Sequence, residues 1–159
     1  MMPNDRPAPA DGHRLRPATA ADAAAIARCV EAAYSPYIER IGEPPGPMLD
    51  DYTETVRNHR VFVIETGGEI AGAIVLIEER GTILLDNVAV RPERQGEGIG
   101  RRLMLLAEAE ARRLGYGAID LYTHELMTEN FALYARNGYE EVERRTEKGF
   151  PRIYMRKRL

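Results

Sequence analysis

Apolar positions along the chain change period several times, and each change marks an element. Residues 1–12 (MMPNDRPAPADG) hold Pro, Asp and Gly with little apolar surface, so they read as a disordered lead-in to a single domain over 13–159. Residues 13–16 read as a short strand. Ala25, Ile26, Cys29, Val30 and Ala33 then recur at helical spacing. Thr19 is placed to cap that helix, with Asp22 three residues on as an imperfect capping box. Residues 35–50 carry Pro36, Pro44, Pro45, Pro47, Gly42 and Gly46, with Tyr34 and Tyr37 nearby. This composition predicts a loop or broken helix, either a surface connection or the wall of a small-molecule pocket.

Residues 49–58 fit a short second helix, and 60–65 (RVFVIE) a strand. Gly67-Gly68 turns the chain into a strand over 69–78, and Arg80-Gly81 turns it again. Residues 82–90 (TILLDNVAV) are almost continuously apolar, the pattern of a strand buried on both faces, with only Asp86 and Asn87 interrupting. From Gly98 the period becomes helical through Ile99, Leu103, Ala107, Ala111 and Leu114, and Gly115 can end the helix. A strand over 118–123 and a helix over 128–137 follow, with Thr128 as expected N-cap. Strands over 140–145 and 153–157 flank a turn at 148–151. Meander strands followed by strand–helix–strand–helix predict an α/β fold, a mixed sheet with helices on its faces.

Composition narrows the function classes. At 159 residues, 44% hydrophobic and 30% charged, the chain has an ordinary globular balance. A net charge of -3 argues against non-specific nucleic-acid binding. No apolar run approaches a membrane span and no signal core opens the sequence, so a cytoplasmic protein without membrane contact is expected. The single cysteine, Cys29, cannot form an internal disulfide or a thiolate metal cluster, and no metal is expected. It lies in an Ala-rich helical stretch and reads as a small buried residue.

The stretch that carries chemistry is VAVRPERQGEGIGR, residues 88–101. A buried strand ends at Val90, Pro92 stops the ladder, and glycines at 96, 98 and 100 lead straight into a helix. Glycine permits a sharp turn and close ligand approach, while the first N–H groups of a helix lack intrahelical partners. With the helix dipole they suit a phosphate or pyrophosphate, and Arg94, Arg101 and Arg102 can add positive charge. The spacing matches neither the dinucleotide fingerprint nor a P-loop, since Gly100 precedes Arg101-Arg102.

Gln95-x-x-Gly98-x-Gly100 after Val88-Ala89-Val90-Arg91-Pro92 resembles motif A of the GNAT superfamily of acetyl-CoA-dependent N-acetyltransferases. Asn130, Ala132, Tyr134, Gly138 and Tyr139 resemble its motif B. The resemblance implies a mixed, mostly antiparallel sheet splayed between the 82–90 and 118–123 strands, with acetyl-CoA as cosubstrate in the splay. It implies that main-chain groups of Val88, Ala89 and Val90 pair with the pantetheine arm. Backbone N–H groups of Gln95, Gly96, Glu97, Gly98, Ile99, Gly100 and Arg101 would hold the pyrophosphate. Asn130 would contact the pantetheine, and Tyr134 would sit near the thioester sulfur.

The reaction so implied is acetyl transfer to a primary amine of a small molecule, peptide or protein. An amine attacks only when neutral, so a base, or a base acting through water, must take a proton. Tyr134 can protonate the leaving thiolate, or can be a core aromatic. Asp86 shares alternation parity with Val88 and Val90, and a carboxylate in an apolar strand suits a base; a bulge residue or paired carboxylate is the other reading. His124 titrates near neutrality, or caps local backbone. Glu78 and Glu125 are weaker candidates. Tyr154 and Arg156 share a face of the last strand, shaping the acceptor site or covering a sheet edge. The acidic residues Glu31, Glu39, Glu43, Asp50 and Asp51 weakly suggest a cationic acceptor of unknown identity. A homodimer is common in proteins of this resemblance. A non-catalytic acyl-CoA sensor is the alternative, against which Tyr134 and Asn130 weigh.

Overall fold

The computed structural model describes residues 12–159, so the predicted lead-in lies, apart from Gly12, outside the described residues. Seven strands form one sheet: β1 (His13–Pro17), β2 (Arg60–Thr66), β3 (Glu69–Glu79), β4 (Thr82–Val90), β5 (Ala118–His124), β6 (Glu140–Glu147) and β7 (Phe150–Arg158). Their spatial order is β1-β2-β3-β4-β5-β7-β6. All neighbours are antiparallel except β4 and β5, which run parallel. The tight turns at Gly67-Gly68 and Arg80-Gly81 have positive φ, as short hairpin turns require, and they build the antiparallel β2-β3-β4 meander. The parallel step needs a crossover, supplied by helix α3 (Ile99–Arg113). Leu103, Met104 and Ala107 of α3 pack against Ile74, Leu76, Ile83 and Leu85 in one buried cluster. A second cluster joins Ile26 and Val30 of helix α1 (Ala23–Ile41) to Val61, Val63, Ala73 and Val75.

Residues 35–50 follow the broken-helix reading: the 19-residue α1 runs through Pro36 to Ile41 and ends at Gly42. Pro36 removes only one helical N–H, while Ser35 Oγ donates to the Glu31 carbonyl at 2.5 Å. The buried stripe continues through Tyr34 and on to half-buried Tyr37, so tertiary packing outweighs the local break. A 3-10 turn (Gly46–Leu49) leads to α2 (Tyr52–Asn58), capped by Asp51, which accepts from the N–H groups of Thr53 and Glu54. Thr128 is not the N-cap of α4 (Thr128–Arg136); that position is Met127, which is anchored by burial of its side chain. The last turn is only Lys148-Gly149, both at positive φ, so Phe150 and Pro151 belong to β7. Pro151 needs no donor there, and its carbonyl accepts from the Glu125 N–H at 2.9 Å.

The centre of the sheet carries the feature that positions the site. β4 and β5 pair only at Leu84–Asp120 and Leu85–Leu121, and then diverge. At the same point the β3–β4 register jumps from Val75–Asn87 to Leu76–Leu85, leaving Asp86 as an inserted residue. A bulge resets the alternation of side chains. Ile83 and Leu85 before it, and Val88 after it, all enter the α3-side cluster, while Ala89 enters the α1-side cluster. Asp86 therefore does not share a face with Val88 and Val90, as strict alternation predicts; it opens towards α1 and α2 beside Tyr34 and Ile77.

Candidate active site

The glycine segment forms a loop between Val90 and α3. Gly96 (φ 86°) and Gly98 (φ 82°) both occupy the left-handed region, which other residues adopt at a cost. Among the described residues, none of the N–H groups of 96–101 donates to a protein acceptor; the ladder resumes with Arg102 N–H to the Gly98 carbonyl at 3.1 Å. The side chain of Ile99 is buried in the core, so only its N–H faces the loop. The Glu97 carboxylate turns away to His13 Nε2 (3.2 Å) and Arg94 (3.5 Å). Arg102, expected to add charge at the loop, instead donates to the His13 carbonyl at 2.8 Å, which leaves Arg94 and Arg101 lining the cleft. Gly72 of β3 seats this end of α3. A Cβ there would lie 2.6 Å from Ile99 Cγ2.

The open edge of β4 adds a second set of backbone groups. Arg91 N–H bonds the Ala71 carbonyl at 2.9 Å. In this register the alternate pairs Ala73–Ala89 and Val75–Asn87 then carry the ladder bonds. The peptide groups of Val88 and Val90 consequently point away from β3 into the splay, while those of Ala89 are used within the sheet. A cleft of about 610 Å³ runs from this edge to the glycine loop, with Asn130 and Leu133 of α4 and Tyr37 of α1 on its walls.

A second cavity, of about 450 Å³, lies on the same side as α2. Tyr34 and Asn130 line both spaces and mark where they meet. The Tyr34 hydroxyl lies 2.9 Å from Asn87 Oδ1 and 3.0 Å from the Val88 carbonyl, within donating reach of either. Asn87 Nδ2 donates to Tyr52 Oη (2.9 Å), which donates to the Pro47 carbonyl (2.6 Å). This buried chain satisfies the polar Asn87 and fixes β4 just past the bulge.

Asp86 and Tyr134 both face the second cavity. Burial raises the Asp86 carboxyl to about 6, with Asp50 and Glu79 adding to the rise. Among the described residues it has neither hydrogen bond nor ion pair. Tyr134 is buried, and desolvation holds its phenol well above the ordinary range. His124 lines the cavity too, but its Nδ1 accepts from the Leu126 N–H at 3.0 Å. A neutral ring so engaged carries its proton on Nε2 and presents a donor, and burial lowers its pKa. Glu78 is held by Arg60 and the Tyr116 hydroxyl (both 2.7 Å), and Glu125 lies 3.5 Å from Arg144; neither lines the cavity. Arg156 pairs with Asp120 (2.6 Å) and the Tyr154 hydroxyl bonds Glu147, so this pair knits β5, β6 and β7 together outside the cavity.

Tyr34, named with the segment read as a possible pocket wall, lines both spaces, but its partner 53 positions away left no sign in the sequence. Arg152 lines the second cavity, and its neighbours come from a different strand. Of the five acidic residues taken to suggest a cationic acceptor, only Asp50 lines that cavity.

Comparison with known proteins agrees with this geometry. Residues 57–141 match the family model described as an acetyltransferase (GNAT) domain. The uncharacterized N-acetyltransferase YvbK of Bacillus subtilis (strain 168) is 29% identical over 100 residues, which cover 62% of this chain and 63% of that relative. The uncharacterized N-acetyltransferase YjgM of Escherichia coli (strain K12) is 28% identical over 138 residues, covering 81% of this chain and 83% of the relative. Among solved structures, the PaiA N-acetyltransferase of Thermoplasma acidophilum in complex with coenzyme A superposes with a TM-score of 0.78 at 16% identity, over 92% of this chain and 99% of that one. With the splayed sheet, the open glycine loop and a family match across more than half of its length, the chain belongs to the GNAT acetyltransferase family.

Proposed function

We propose that this protein transfers the acetyl group of acetyl-CoA directly to a primary amine. The observation that carries the reading is the meeting of two spaces at the β4 bulge. One is bounded by free N–H groups and an open strand edge; the other holds an unpaired carboxylate and a buried phenol. The first fits an acyl-CoA: N–H groups of 96–101 suit a pyrophosphate, and Val88 and Val90 present peptide groups that an extended amide-bearing arm can pair with. Bound there, acetyl-CoA would supply an activated acyl group.

The chain's own residues account for the rest. Asp86, at about 6, is ionised at neutral pH yet basic enough to take a proton from an incoming ammonium, directly or through water. Val88 N–H, on the open edge, is placed to donate to the oxygen that gains charge during attack. Tyr134 stays protonated and donates a hydrogen bond to the departing sulfur. So weak an acid gives up its proton only in concert with replacement, and the replacement is the proton leaving the amine. Cys29 does not serve as a covalent carrier: it is fully buried and burial raises its thiol to about 11.

Thiol release in the presence of acetyl-CoA and an amine panel tests the proposal. Amine-dependent release with intersecting initial-velocity lines is the expected result, retained in Cys29→Ala. Parallel lines would indicate an acetylated enzyme and overturn direct transfer.

A further inference from the structure

The second cavity is lined by acidic Asp50 and Asp86 and by basic Lys148 and Arg152, and Asp86 and Arg152 do not meet. Arg152 of β7 is opposite His124 of β5, and its side chain is only 15% exposed. The guanidinium stacks over the Tyr122 ring at 4.2 Å and lies 5.8 Å from the Phe150 ring centroid. Its five N–H donors make no hydrogen bond among the described residues. The nearest carboxylate, Glu147, stands 3.5 Å away, is 42% exposed, and is shared with Arg145 (3.7 Å) and the Tyr154 hydroxyl. Asp86, also on the cavity wall, makes no ion pair with Arg152 among the described residues. The strands β4 and β7 are separated by β5, about 10 Å across two strand spacings and more where the sheet splays.

A largely buried guanidinium without hydrogen bonds is costly to maintain, as is a half-buried carboxylate without a partner. Were the cavity built for a simple polyamine, the cation would repel it. Were it built for a plain anion, Asp86 and Asp50 would do so. One molecule carrying both charges satisfies both walls. We infer that the acceptor is an amino acid, whose amine is presented to Asp86 and whose carboxylate pairs with Arg152. This rests on the acetyltransferase reading above. A planar guanidinium lying over Tyr122 keeps its N–H fork for a bidentate carboxylate contact. Apolar lining from Leu49, Pro47, Ile77 and Met127 favours an acceptor with an apolar body.

The test compares acceptors that differ only in the carboxylate: tyrosine with tyramine, phenylalanine with phenethylamine, and γ-aminobutyrate with propylamine. Initial rates of thiol release are measured for wild type, Arg152→Gln and Arg152→Lys, each checked for acetyl-CoA binding by calorimetry. In at least one pair the amino acid should be preferred. Arg152→Gln should raise its KM about 10- to 100-fold, the size of a charged hydrogen-bonded contact, while the decarboxylated partner's KM stays put. Arg152→Lys should recover part of the loss. The inference is overturned if the decarboxylated amines react as well or better, or if Arg152→Gln affects both members equally. Tight acetyl-CoA binding with no amino acid acetylated would also overturn it. Absence of acetyl-CoA binding by folded wild type would instead bring down the acetyltransferase reading itself.

Discussion

Replacing Asp86 by Asn should make the protein more stable and less active. Burial raises this carboxyl from 3.8 to about 6, so the folded state binds its proton more tightly than the unfolded chain does. The stability contributed by that proton is fully present below pH 4 and is lost as pH rises through about 6. Two pH units at 1.36 kcal/mol each come to about 3 kcal/mol, the upper cost of keeping the charge buried at pH 8. Asn carries no charge and should remove that cost. Urea unfolding at pH 8 should shift the midpoint upward by about 1 M or more, given m-values of about 1–3 kcal/mol/M. At pH 4 the two proteins should nearly coincide. The kcat/KM of wild type should rise with pH through about 6, and the variant should lose that limb along with about 10²- to 10⁴-fold of its rate. Equal stability at pH 8, or a more stable wild type, would refute the reasoning, because Asp86 would then be solvated or paired in the folded state.

Tyr134→Phe should lower kcat by about 10²-fold, with acetyl-CoA affinity unchanged in calorimetry, since its hydroxyl has no protein partner among the described residues. Gly72→Val should lower thermal stability by about 1–3 kcal/mol, because the new side chain meets Ile99 and Leu103, and should weaken acetyl-CoA binding as the first turn of α3 lifts. Tyr34→Phe should cost about 1–3 kcal/mol in denaturant unfolding by stripping a donor from the Asn87 and Val88 acceptors.

The meander and α3 were legible in the sequence because their signals are local. Glycine turns at 67–68 and 80–81 close hairpins, and a single 3.6-residue stripe marks α3. The glycine loop was legible for the same reason, since 96, 98 and 100 adjoin both the strand and the helix they link. The path of α1 was not, because Pro36 is a local breaker and what overrides it is the burial of Tyr34 against β4. The orientation of Asp86 was hidden for a different reason. A bulge inserts one residue and flips all later parity, yet TILLDNVAV looks continuous. The polar chain from Tyr34 through Asn87 to Tyr52, and the cavity beside Arg152, depend on residues far apart in sequence, which no periodicity reports.

The N–H groups of the glycine loop are expected to hold acetyl-CoA beside the splayed strands. Calorimetric titration of the purified protein with acetyl-CoA, alongside a folded Gly98→Glu, Gly100→Glu variant, tests it most directly. Tight one-to-one binding by wild type, abolished in a variant whose circular dichroism is unchanged, is the predicted result. Folded wild type that fails to bind, or a variant that binds equally well, would contradict it.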